Sequence, residues 1–141
     1  MNIRTKDNLV VIVAGIGMLL STLDTGIINV ALPFFKSYFE TTADIAAIAV
    51  TGYTISLAVF ILPFGLLSDK FGKLSFSYIG LIIFGLSSLL CGLSANIQML
   101  IMFRIFQGIG AAALQATSAS LITTLVSAEK SSSAIGVLGI M

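Results

Sequence analysis

Two charged side chains stand inside long apolar runs, Asp24 and Arg104. A carboxylate within a membrane span costs roughly 3 kcal/mol on insertion scales, so such groups face a cavity or a partner and often carry protons or ligands. The plainer alternative for Asp24 is a structural polar contact between helices. Asn29 lies five residues after Asp24, off its line on a helix but within reach of the edge of the same cavity. Beyond Arg104 come Gln107, Gly108, Gly110 and Ala112. Gly108, Ala112, Ala116 and Ser120 recur at i+4, a stripe of small residues that lets membrane helices approach closely. That stripe reads as packing before ligand contact. A second polar group lies between two apolar runs: Gly65, Asp69, Lys70, Gly72 and Lys73. Gly72 permits a tight turn, and a carboxylate at a helix end, such as Asp69, can cap another helix or join a charge network.

The elements that carry these residues are membrane helices. The chain has 141 residues, of which 57% are hydrophobic and 9% charged. A soluble domain carries about 25% charged residues, and one of this size leaves about a third of its unfolded surface wet. A soluble enzyme, a disordered chain and a nucleic-acid binder are therefore excluded, and an all-α integral membrane protein remains. The net charge of +1 attracts no nucleic acid. The absence of histidine and the lone Cys91 remove most zinc and haem sites and any histidine-based triad, so no metal or cofactor is expected.

Apolar hydrocarbon about 30 Å thick takes about 20 residues of helix. Residues 9–32 meet that length, as do residues 45–68, and residues 74–128 are long enough for two crossings divided at the polar break of residues 92–96. The expected spans are about 9–33, 45–68, 74–92 and 97–125, with a fifth from about residue 131 that has only half the length of a crossing at Met141. Thr41 to Asp44 offer caps for the second span. With the N-terminus in the cytoplasm, Arg4, Lys6, Lys70, Lys73 and Lys130 are inside and Lys36 alone is outside, as the positive-inside rule requires. The first span then runs outward and the fourth inward. Asp24 is nine residues before Pro33, and Arg104 seven or eight after Asn96. At 1.5 Å per residue both lie roughly 10–14 Å below the outer surface. They pair or they share one polar cavity. In a low-dielectric site the proton affinity of the carboxylate depends on its partner and on water access, the chemistry a proton-coupled carrier needs. A static buried ion pair is the rival, and such pairs are weak evidence for stability because desolvation offsets their attraction.

Three motifs sit on these spans in order. The first is Leu23-Asp24-Thr25-Gly26-Ile27-Ile28-Asn29-Val30-Ala31-Leu32-Pro33. The second comprises Gly65, Leu67, Asp69, Lys70, Gly72 and Lys73, and the third Arg104, Gln107, Gly108, Gly110, Ala111 and Ala112. In these the chain resembles the N-terminal part of the major facilitator superfamily, and its first motif resembles that of the fourteen-span drug–proton antiporters. The resemblance implies that Asp24 takes part in proton coupling or cavity polarity. It implies that Arg104 is the span-four arginine of proton transfer, and that Asp69 and its neighbours form an inner gate of alternating access. Implied partners are the lipid bilayer of the cell membrane, protons, amphipathic or cationic drug-like cargo and the later spans of a longer carrier. The sequence departs from the pattern at Gly26, where a hydroxyl residue is usual, at Leu74, where a further basic residue is common, and at Ala116, near a common proline. The span-five antiporter motif would follow Met141, with only Gly136 and Gly139 of its approach present.

Rival readings are a symporter or non-drug carrier of the same superfamily, a complete four-span exporter acting as a dimer, and an inactive fragment. Superfamily carriers bind cargo between two halves built from repeats, and four and a half spans do not complete the first half. Cells making only residues 1–141 are therefore expected to show no drug-resistant growth and no proton-dependent dye efflux; either one would overturn that expectation.

Overall fold

Each apolar run forms one helix. The computed structural model describes residues 3–125, which form α1 (Ile3–Tyr38), α2 (Ala43–Phe71), α3 (Lys73–Gly92) and α4 (Ile97–Leu125). No strand occurs among the described residues. The fifth span expected from about residue 131, and the loop containing Lys130, lie outside them. All four helices are long and apolar enough to cross a membrane.

Local chemistry sets the helix ends. Pro33, expected near the outer end of the first span, lies inside α1. The helix continues through an aromatic stretch in which Phe34 stacks on Tyr38 with centroids 5.4 Å apart and Tyr38 meets Phe39 edge-on at 5.0 Å. Rings of this kind favour the headgroup level, so the helix outlasts the hydrocarbon. Glu40, in the left-handed region at φ 48°, turns the chain, and Thr41 N donates to Lys36 O at 3.0 Å, closing the helix end as αL caps do. Thr42 caps α2, accepting from Ile45 N at 3.3 Å. Asn96 caps α4, accepting from Met99 N at 2.8 Å. Between α2 and α3 a single residue turns the chain. Asp69 and Lys70, just past the expected end of the second span at residue 68, remain helical, because Gly72 alone at φ 102° both ends α2 and starts α3. The α1–α2 and α3–α4 connections lie at one end of the bundle, where Tyr38 to Thr41 and Ala95 to Gln98 line a common groove.

The fourth helix is the hub. It packs against α2, α3 and α1, most extensively against the first two. Of its most apolar stretch, 56% is buried inside the bundle, against 11% for α1. Two glycines make this possible on opposite faces. A Cβ at Gly108 would strike the Tyr53 carbonyl of α2, and one at Gly110 would lie 2.6 Å from Phe84 N of α3. Gly80 of α3 answers, since its own Cβ would stand 2.8 Å from Ala113 Cβ. The stripe read from i+4 spacing is therefore half of the arrangement: Gly108 and the buried Ala112 belong to it, and Gly110 serves the other side. Tyr53, Phe84, Ala111 and Leu114 form one buried cluster; Ala49, Ile97 and Leu100 form another near the capped end. Several hydroxyls in the described helices are satisfied by their own helix: Thr51 donates to Ala47 O, Thr54 to Val50 O and Thr117 to Ala113 O. The large apolar side chains left exposed, Val30, Leu62 and Leu66 among them, suit a protein solvated by lipid.

Gly110→Ala should destabilise the bundle by about 1–3 kcal/mol through overpacking, whereas Gly85→Ala, whose Cβ would meet open space, should leave it unchanged or slightly firmer. Thermal melts of the two variants in detergent, followed by circular dichroism, check this. Equal melting points would contradict the close-approach role of Gly110.

Candidate functional site

Asp24 and Arg104 meet. Arg104 Nη1 donates to Asp24 Oδ2 at 2.5 Å across the α1–α4 contact. The same Nη1 donates to Gln107 Oε1 at 2.7 Å, and Gln107 Nε2 donates to Asp24 Oδ1 at 2.8 Å. The three side chains form a closed triangle. The helix geometry accounts for it: Arg104 and Gln107 are one turn apart on α4, so both reach the single carboxylate opposite. Only one orientation of the Gln107 amide satisfies both neighbours, with its oxygen on the cation and its nitrogen on the anion.

The site is nearly closed. The Arg104 side chain is 1% exposed and that of Asp24 19%. Every helix contributes. Cys91 of α3 donates its thiol to Gln107 Oε1 at 3.7 Å. Tyr53 of α2 places its ring under the guanidinium, with Arg104 Cζ 4.3 Å from the centroid. The Tyr53 hydroxyl shares a 3.0 Å hydrogen bond with Ser21 of α1, and Gln115 Nε2 of α4 donates to the same Ser21 oxygen at 3.0 Å.

Both carboxylate oxygens are engaged as acceptors. Each oxygen keeps a second lone pair on which a proton can add. Once added, the proton removes the negative charge that Arg104 and Gln107 donate to and weakens both bonds, which ties a protonation event to the contact between α1 and α4.

The other expected residues are placed differently. Asn29 is exposed and stands outside the triangle. Gly26 is exposed, and a Cβ there would meet nothing within 4 Å, so the missing hydroxyl at that position takes nothing from Asp24 in this arrangement. At the far end of α2, Asp69 pairs with Lys73 Nζ at 3.2 Å, with Asp69 60% exposed; exposed pairs of this kind contribute at most about 1 kcal/mol. Lys70 leans over the Phe71 ring at 5.7 Å, and the half-buried Gly65 accepts from Ser68 Oγ at 2.8 Å. Gln107, expected as a motif and packing residue, belongs to the polar centre itself. Tyr53, Ser21 and Gln115 are members of the site that sequence reasoning misses. Their signals are present: Ser21 is one turn before Asp24, Gln115 is three turns after Arg104 on the same helix line, and Tyr53 is an aromatic hydroxyl deep in a span.

Residues 14–141 match the Major Facilitator Superfamily. The chain belongs to this superfamily. Similar members include the riboflavin transporter RibZ of Clostridioides difficile, 36% identical over 93% of this chain and 29% of its own length. The methylenomycin A resistance protein of Bacillus subtilis is 39% identical over 80% of this chain and 24% of its own length. The multidrug resistance protein Stp of Mycobacterium tuberculosis is 36% identical over 92% of this chain and 24% of its own length. The chain spans about a quarter of the length of these relatives. Superfamily members are transporters and not enzymes, and with four helices among the described residues long and apolar enough to cross a membrane this one is a multi-pass protein of the cell membrane.

Proposed function

We propose that the chain is the N-terminal part of a proton-coupled multidrug efflux carrier of the fourteen-span group, working by alternating access. The observation that carries the proposal is the Asp24 carboxylate held by Arg104 and Gln107 at once. Asp24 takes up and releases the transported proton. Arg104 is its counter-charge: a proton on Asp24 cancels the attraction between them, and the weakened triangle then frees α1 to move against α4. The turn with Gly65, Asp69, Lys70, Gly72 and Lys73 acts as the inner gate, where the Asp69–Lys73 pair sits at a one-residue hinge. The cargo is an amphipathic or cationic drug-like molecule, a reading supported by the names of the methylenomycin resistance and multidrug resistance relatives. The riboflavin transporter relative favours a second reading, a carrier of the same superfamily with a non-drug cargo.

Asp24→Asn in the full gene product should abolish efflux driven by a pH gradient while leaving the amount in the membrane unchanged. Arg104→Lys should fail too, because a compact ammonium does not reproduce the planar group that lies against the Tyr53 ring. Efflux of a cationic dye and of riboflavin from inverted or loaded vesicles, each with and without the gradient, measures both effects and separates the two cargo readings. Undiminished gradient-driven transport by Asp24→Asn would reduce Asp24 to a structural contact.

A further inference from the structure

Arg104 is almost fully buried, yet among the described residues only one of its three guanidinium nitrogens has a hydrogen-bond partner. Nη1 serves both Asp24 and Gln107, while Nε and Nη2 are buried without any. Two unsatisfied donors on a buried cation favour any rotation that would find them acceptors, and such a rotation would carry Nη1 off Asp24. Hydrogen bonding fixes one nitrogen of the group, and the orientation of the rest needs a further contact.

The ring of Tyr53 is in position to supply it. The guanidinium carbon lies 4.3 Å from its centroid, well within the range at which an aromatic face attracts a cation, and the attraction is stronger where water is excluded. Tyr53 is 2% exposed, so the ring has little freedom of its own. Two further contacts immobilise it. Its hydroxyl is bonded to Ser21, one turn before Asp24 on α1, and Ser21 is bonded in turn to Gln115 of α4. Its backbone carbonyl lies against Gly108, where any side chain would clash, so α2 can bring the ring beneath Arg104 only because residue 108 is a glycine.

We infer that Tyr53 is a positioning residue for the proton site: its ring holds the Arg104 guanidinium so that Nη1 stays on Asp24, and its hydroxyl ties the ring to the helix that carries Asp24. The inference rests on the proton role proposed for Asp24, and it assigns to α2 a part in setting when that proton binds. The titratable or charged groups that face Asp24 from the packed helices are Arg104 of α4, Tyr53 of α2 and Cys91 of α3. Of these Arg104 carries the charge, Cys91 touches the triangle through Gln107, and Tyr53 fixes where the charge stands. Without the ring, the guanidinium is free to turn and the space admits water, and both effects weaken the pair between guanidinium and carboxylate.

The test reads the proton on Asp24 directly, independently of transport. In the full gene product reconstituted in lipid nanodiscs, the infrared carbonyl band of protonated Asp24, assigned by its loss in Asp24→Asn, is titrated with pH. Tyr53→Phe, which keeps the ring, should titrate within about 0.3 pH unit of the parent. Tyr53→Leu should titrate about one unit higher, a tenfold change in the protonation equilibrium. Tyr53→Met is made alongside, so that a leucine variant that fails to fold leaves a second ring-free chain to measure. A midpoint unchanged in the ring-free variants, or moved equally by Tyr53→Phe, would overturn the inference. Failure of the transport proposal would show elsewhere, as gradient-driven efflux that survives Asp24→Asn.

Discussion

A carboxylate and a guanidinium stand opposite each other inside an apolar medium, and the arrangement of the four helices follows from that contact. Neither charge is tolerable there alone; removing one partner of a buried pair costs on the order of 3–5 kcal/mol because the other is left uncompensated. Asp24 on α1 must therefore face Arg104 on α4 at one depth, and the register between those helices is set. The triangle with Gln107 tightens it, since two donors one turn apart converge on one carboxylate. The other helices come to the same place. The ring of Tyr53 and the thiol of Cys91 reach the centre from α2 and α3, and Gly108 and Gly110 let those helices close on α4 from opposite sides.

The chemistry of the site is one of competition for charge. Both oxygens of Asp24 accept from donors, so a proton there weakens the bonds that Arg104 and Gln107 make to it. This links an ionisation to a helix contact without a separate device. The polar turn at Gly72 stands apart and exposed, with the Asp69–Lys73 pair between α2 and α3 across it. The two polar groups of the chain thus occupy different depths and different media, one shielded from water and one in it.

What is legible in the sequence, and what is not, divides along physical lines. Asp24 and Arg104 stand out because a charge inside an apolar run is rare, and counting residues from Pro33 and Asn96 is enough to put them at one level. The cap at Thr42 is readable because side-chain oxygens mark helix starts, whereas Asn96 reads only as part of a polar break and its cap comes from the structure. Neutral polar residues are harder. Ser21, Tyr53 and Gln115 carry no insertion penalty large enough to demand a partner, and several hydroxyls in these helices bond their own backbone; only three-dimensional register distinguishes the ones that do not. The glycines are half legible, since i+4 spacing finds one face of a helix and α4 has neighbours on several. Pro33 misleads in a small way, because the edge of the hydrocarbon and the end of a helix are different boundaries.

The most direct measurement is a double-mutant cycle on the central pair. Asp24→Asn, Arg104→Gln and the double variant are unfolded by denaturant in detergent, and the three losses of stability are compared with the parent. If the pair organises α1 against α4, the double variant loses clearly less than the two single variants together, with a coupling of about 1.5 kcal/mol or more. Losses that add to within about 0.5 kcal/mol would mean that the two charges act independently, and would contradict the interaction on which the site is built.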